Sequence, residues 1–106
     1  NIIIDNSNFF TYYIMNPMNK YLVEFMGTLL LVYVILVLKT PIAIGAALTV
    51  AILLGGKISG GNFNPVVTLV MTVSGKADKK HLIPYVLAQS AGGLLALELY
   101  KKKLLF

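Results

Sequence analysis

The stretch ISGGNFNPVVT, residues 58–68, decides most of what this chain can become. It places two glycines, two asparagines and a proline between apolar runs long enough to cross a bilayer. In water such a segment would be an ordinary surface loop. Between membrane spans it is a costly one, because backbone without helical hydrogen bonds is tolerated at membrane depth only when buried in protein or lining a wet cavity. Pro65 fits the first turn of a helix, where its missing N–H costs nothing. Asn62 or Asn64 can cap that turn with a side-chain oxygen. The pattern predicts a re-entrant loop feeding a short helix over 65–74, its positive N-terminal end pointing into the protein.

Composition supports the membrane setting. Of 106 residues, 58% are hydrophobic and 12% charged, and the mean hydropathy is +0.81. A soluble domain of this size rarely has that balance, so an all-α integral membrane protein is expected, its first partner the lipid bilayer. The net charge of +5 comes entirely from lysines at segment ends, with no arginine. Bidentate recognition of bases or phosphates normally uses arginine, so no nucleic-acid partner is expected. A basic fringe against anionic headgroups explains the same charge. The absence of cysteine removes disulfide and thiol chemistry. A single histidine, His81, cannot make a multi-histidine metal site and is read as a surface residue. No nucleotide loop, metal cluster or nucleophile–base arrangement is present in the sequence, so neither enzymatic activity nor a cofactor is expected.

Taken in order, residues 1–20 are too polar to span and rich in aromatic and apolar pairs, which suits an N-terminal interfacial arm or an irregular tail. The apolar part does not end at a small-residue cleavage site, so it is not a signal peptide. The first residue is Asn rather than Met, which points to a processed or incomplete chain. The first span is expected over 21–38, bracketed by Lys20 and Lys39. At roughly 1.5 Å per residue it measures about 27 Å, close to the hydrocarbon thickness. Glu24, one turn inside, is the anomaly. Either it fastens polar groups of the re-entrant loop, or it sits at headgroup depth and reaches into water. A second span over 41–56 is dense in Ala and Gly and should pack closely, ending at Gly55, Gly56 and Lys57. The loop and half-helix fill 57–75. A third span is expected over 82–100, where Gln89 stands beside the small residues Ser90, Gly92 and Gly93 and can reach a loop group. Glu98 precedes Lys101 and Lys102 at helix-pair spacing. The membrane domain closes at 103, and 104–106 form a tail.

Three ordered motifs then point to a known family. Glu24, Phe25, Gly27 and Thr28 resemble the first-helix motif of the major intrinsic proteins, the aquaporins and glycerol facilitators. SGGNFNPVVT (59–68) resembles their first Asn-Pro-Ala loop, and Tyr85, Gln89, Gly92 and Gly93 resemble their third helix. The resemblance covers about residues 21–100 and implies the N-terminal half of such a protein: three membrane helices and one re-entrant half-helix. In the family two such halves face each other as inverted repeats, their asparagines meeting at the pore midplane. By resemblance, Asn64 would be the pore donor, Pro65 and Val66 would stack against the other half's loop, Glu24 and Gln89 would brace the loop, and Ile44 would fall near the constriction. With the family orientation, Lys20, Lys57, Lys76, Lys79 and Lys80 would be cytoplasmic, while Lys39 and Lys101–Lys103 would be outside, which is hardly a positive-inside bias.

The departures also constrain function. Asn62 stands where the family usually has histidine, and Val66 where it has alanine. The second half, with its asparagine and constriction arginine, is not in this sequence, so one copy would not enclose the family pore. Three readings stay open. One is a half-channel pairing with itself, as a homo-oligomer, or with a second membrane subunit, for passive passage of water or a small neutral solute. Another is a structural membrane protein that kept the half-fold without a pore. The third is a fragment of a longer facilitator.

Overall fold

The computed structural model describes residues 16–103. Most of the expected interfacial arm and the tail at 104–106 lie outside the described residues. Among the described residues, four α-helices and one short turn follow in order: α1 (Pro17–Val37), α2 (Pro41–Ser59), α3 (Pro65–Val73), a 3-10 turn (Lys79–His81) and α4 (Leu82–Lys102).

One local device starts the first three helices. Each opens with proline at its first position behind a polar cap. Asn16 Oδ1 accepts from Met18 N at 2.9 Å, Thr40 Oγ1 from Ala43 N at 3.3 Å, and Asn64 Oδ1 from Val66 N at 2.8 Å. The cap satisfies amides that the helix leaves unpaired, and proline presets φ without losing a needed donor. Hence α1 begins at Pro17, four residues before the span read from hydropathy. Lys20 marks the edge of the apolar window, not the end of the helix.

α2 runs through Gly55 and Gly56 to Ser59, beyond the end expected at 56. Here glycine serves packing, since a Cβ on Gly55 would collide with Val23 of α1. The helix stops at Gly60, whose φ of +93° is left-handed and whose N–H donates to Gly56 O. α4 likewise continues past 100 to Lys102.

α1 is the central element, packed along α4 and α2, while α3 rests against α4. The α1–α4 contact brings backbones together, for a Cβ on Gly92 would run into the Phe25 carbonyl oxygen. The interior is polar and fine-grained: Glu24, Gln89, Thr68, Ala47, Ala51 and Ala96 are buried. The aromatic rings of Tyr33, Phe63 and Tyr85 are buried with them, while many large aliphatic side chains face outward, with Ile42 85% exposed and Leu54 79%. That inversion of the soluble pattern suits a bundle solvated by lipid, where small residues mediate helix contact and polar groups turn inward. α1, α2 and the segment Lys79–Lys102 are long and apolar enough to cross a membrane. α3, about 13 Å long at roughly 1.5 Å per residue, reaches only part way.

Candidate functional site

The site grows from the turn between α2 and α3. Gly60 and Gly61 both take positive φ (+93° and +66°) and reverse the chain immediately after α2. Phe63 then adopts φ +53°, a left-handed conformation uncommon for a bulky residue. Its ring is buried and fills the space left by the missing side chain of Gly27. A strained backbone of this kind persists only where its surroundings fix it.

Glu24 supplies that fixation. It is fully buried on α1, and its carboxylate accepts four hydrogen bonds. Oε1 accepts from Phe63 N at 2.7 Å and Gln89 Nε2 at 2.8 Å. Oε2 accepts from Ser59 Oγ at 2.7 Å and Asn62 N at 3.1 Å. A buried carboxylate is costly unless its lone pairs are satisfied, and here all four donors converge on it. The headgroup-depth alternative for Glu24 therefore does not describe this fold.

A second node forms at Thr68, buried in the first turn of α3. Its Oγ1 donates to Asn64 O at 3.1 Å and accepts from Asn62 Nδ2 at 3.0 Å and Gln89 Nε2 at 2.8 Å. Gln89 thus joins the two nodes with one amide nitrogen, while its buried Oε1 has no hydrogen-bond partner. Tyr85, one turn earlier on α4, donates from its hydroxyl to Ser59 O at 2.6 Å. Helices α1, α2, α3 and α4 are in this way tied to one loop.

Of the two asparagines, Asn64 is the cap. Its Oδ1 takes both Val66 N, at 2.8 Å, and Val67 N, at 3.3 Å. Asn62 instead turns its amide nitrogen to Thr68. Asn64, Pro65 and Val66 are exposed at the tip of α3. Ile44 lies in the first turn of α2, about 22 Å along that helix from Ser59, and does not join the polar cluster. Four contributors lie within the quoted motifs but receive no role from the sequence: Ser59, Phe63, Thr68 and Tyr85. Ser59 and Thr68 carried a signal, a hydroxyl at each edge of the glycine–asparagine run. Phe63 carried none, since its role depends on the cavity above Gly27. His81 is partly exposed at the end of the bundle, its Nδ1 lying 2.8 Å from the Tyr21 hydroxyl.

Comparison with known proteins agrees with this architecture. The family model described as major intrinsic protein matches residues 36–104. The chain is 41% identical over 88 residues to glycerol uptake facilitator protein-like 6 of Lactiplantibacillus plantarum, covering 74% of this chain and 41% of that protein. It is 41% identical over 95 residues to aquaporin Z of Brucella melitensis, with the same two coverages. To aquaporin-8 of Mus musculus it is 45% identical over 64 residues, covering 60% of this chain and 24% of that protein. No solved structure gave a significant match. The chain spans about two fifths of the length of the first two relatives. With a family model matching well over half of its residues, three spanning helices and a re-entrant half-helix, this chain is an integral membrane protein that belongs to the major intrinsic protein family.

Proposed function

We propose that the chain is one half of a channel, which pairs with a second half to pass water or a small neutral solute passively. The observation that carries this reading is the division of labour within the Asn64 amide. Its oxygen is held by two helix N–H groups. Its nitrogen is left as a donor at an exposed residue on the N-terminal end of α3. A donor fixed in that way, beside a positive helix end, orients a passing water through its oxygen and disfavours cations. Relatives named as aquaporins and as a glycerol uptake facilitator fit that solute class. Pro65 and Val66, the latter 66% exposed, give the tip an apolar surface for a second loop to stack on. Glu24, Gln89, Thr68 and Asn62 serve by holding the loop.

Pairing is tested with a single thiol, since the chain has no cysteine of its own. Val66→Cys in native membranes, mildly oxidised, should form a disulfide-linked dimer or a link to a thiol-bearing second subunit. Ile42→Cys, on the outward face of α2, should not. A folded Val66→Cys protein that links to nothing contradicts the pairing of two loops.

A further inference from the structure

A cavity of about 620 Å³ opens at the end of the bundle where α1 begins and α2 ends, below the loop cluster. Lys20, Lys57, Lys76 and Lys80 line it, with His81 beside them. They come from the start of α1, the last turns of α2, the segment after α3 and the 3-10 turn. Four separate segments therefore bring lysines to the lining of one space.

Among the described residues, one acid stands against these four lysines on the lining. Asp78 is the one carboxylate on the lining, and it is committed locally: Oδ1 accepts from Lys80 N at 3.0 Å and Oδ2 lies 4.0 Å from Lys80 Nζ. Glu24 is buried and spent on four donors. Glu98 is near the far end of α4, paired with Lys101 at 3.4 Å. Among the described residues, Lys20, Lys57 and Lys76 on this lining have no carboxylate paired with them, and an external anion would stabilise them. Lysine ammoniums act as point charges on phosphate oxygens, without the planar matching that arginine gives to carboxylates.

We propose that this cavity binds the phosphate headgroup of an anionic membrane lipid, with its phosphate among Lys20, Lys57, Lys76 and Lys80. The position favours lipid over a soluble phosphate. The cavity opens at the end of the spans, at the depth of headgroups. Next to it along the chain, Met18, Leu22 and Ile83 are exposed apolar side chains suited to acyl chains. Basic groups at a membrane surface attract anionic lipid in this way, and the attraction weakens with salt. The inference does not rest on the channel reading, because binding is measured without transport.

The test uses the full chain in nanodiscs of phosphatidylcholine, titrated with phosphatidic acid and followed by native mass spectrometry of bound lipid. Wild type should retain phosphatidic acid in preference to phosphatidylcholine, and rising salt should weaken the retention. The double variant Lys57→Gln/Lys80→Gln should bind it about tenfold more weakly or worse. Lys101→Gln/Lys102→Gln, at the opposite end, should bind as wild type does. Unfolding temperatures measured in phosphatidylcholine alone verify that both variants are folded; if the first is not, Lys76→Gln and Lys20→Gln are read singly, each expected to weaken binding severalfold. Equal retention of both lipids, equal weakening by the distal pair, or displacement of the lipid by millimolar inorganic phosphate that itself binds as tightly would overturn the proposal.

Discussion

Glu24 Oε1 accepts a hydrogen bond from the backbone N–H of Phe63 at 2.7 Å, across 39 positions of sequence. This bond joins the one carboxylate buried in α1 to the one left-handed non-glycine residue of the re-entrant loop. Replacing Glu24 by Leu strands the Asn62 and Phe63 amides and removes one acceptor each from Ser59 and Gln89. Each buried donor left unmade costs about 1–3 kcal/mol. Glu24→Leu should therefore abolish folding or lower stability by several times that unit, while Glu24→Gln, which keeps one acceptor oxygen, should lose less. Thermal unfolding in detergent of both variants checks the order; equal loss in the two contradicts the four-donor arrangement.

Thr68 tests the second node. Thr68→Val keeps shape and removes an oxygen that touches Asn64, Asn62 and Gln89. A loss of about 1–3 kcal/mol is expected, with Thr68→Ser close to wild type. Because Gln89 shares the network, Thr68→Val and Gln89→Leu should be clearly non-additive in a double-mutant cycle. Additive losses would mean that the two nodes are energetically separate.

Glycine substitutions should divide by what a Cβ would meet. Gly92→Ala pushes a methyl into the Phe25 carbonyl and should destabilise by about 1–3 kcal/mol or separate α1 from α4. Gly45→Ala, with open space around it, should be neutral or gain up to about 1 kcal/mol from helix propensity. Unfolding temperatures of the two variants provide the comparison.

These variants also show what the sequence could and could not reveal. A carboxylate inside a span, glycines amid apolar residues and proline after asparagine are local anomalies, and each has a physical cost that demands a partner. They made the half-helix and the polar character of the core legible. Which asparagine caps was not legible, because Asn62 and Asn64 are chemically identical and two positions apart. The choice follows from Gly60, Gly61 and Phe63 all taking positive φ, which leaves Asn64 extended at the helix start. The helices outrun the apolar spans where charge or glycine suggests a stop: Lys20 lies within α1 and Gly55 within α2. The Phe63–Gly27 fit was invisible, since it depends on two segments meeting in space.

Osmotic swelling of liposomes containing the purified, folded chain tests whether Asn64 serves a conducting path. Two variants separate folding from conduction. Asn64→Asp keeps an oxygen to cap α3 but loses the amide donor, so it should fold and conduct poorly. Asn64→Ala loses both and should also lose about 0.5–2 kcal/mol of stability. The expected result is wild-type liposomes that swell faster than protein-free ones, with Asn64→Asp close to the protein-free rate at unchanged unfolding temperature. Wild type swelling no faster than empty liposomes, with the protein shown folded and paired, would contradict the channel reading for this chain.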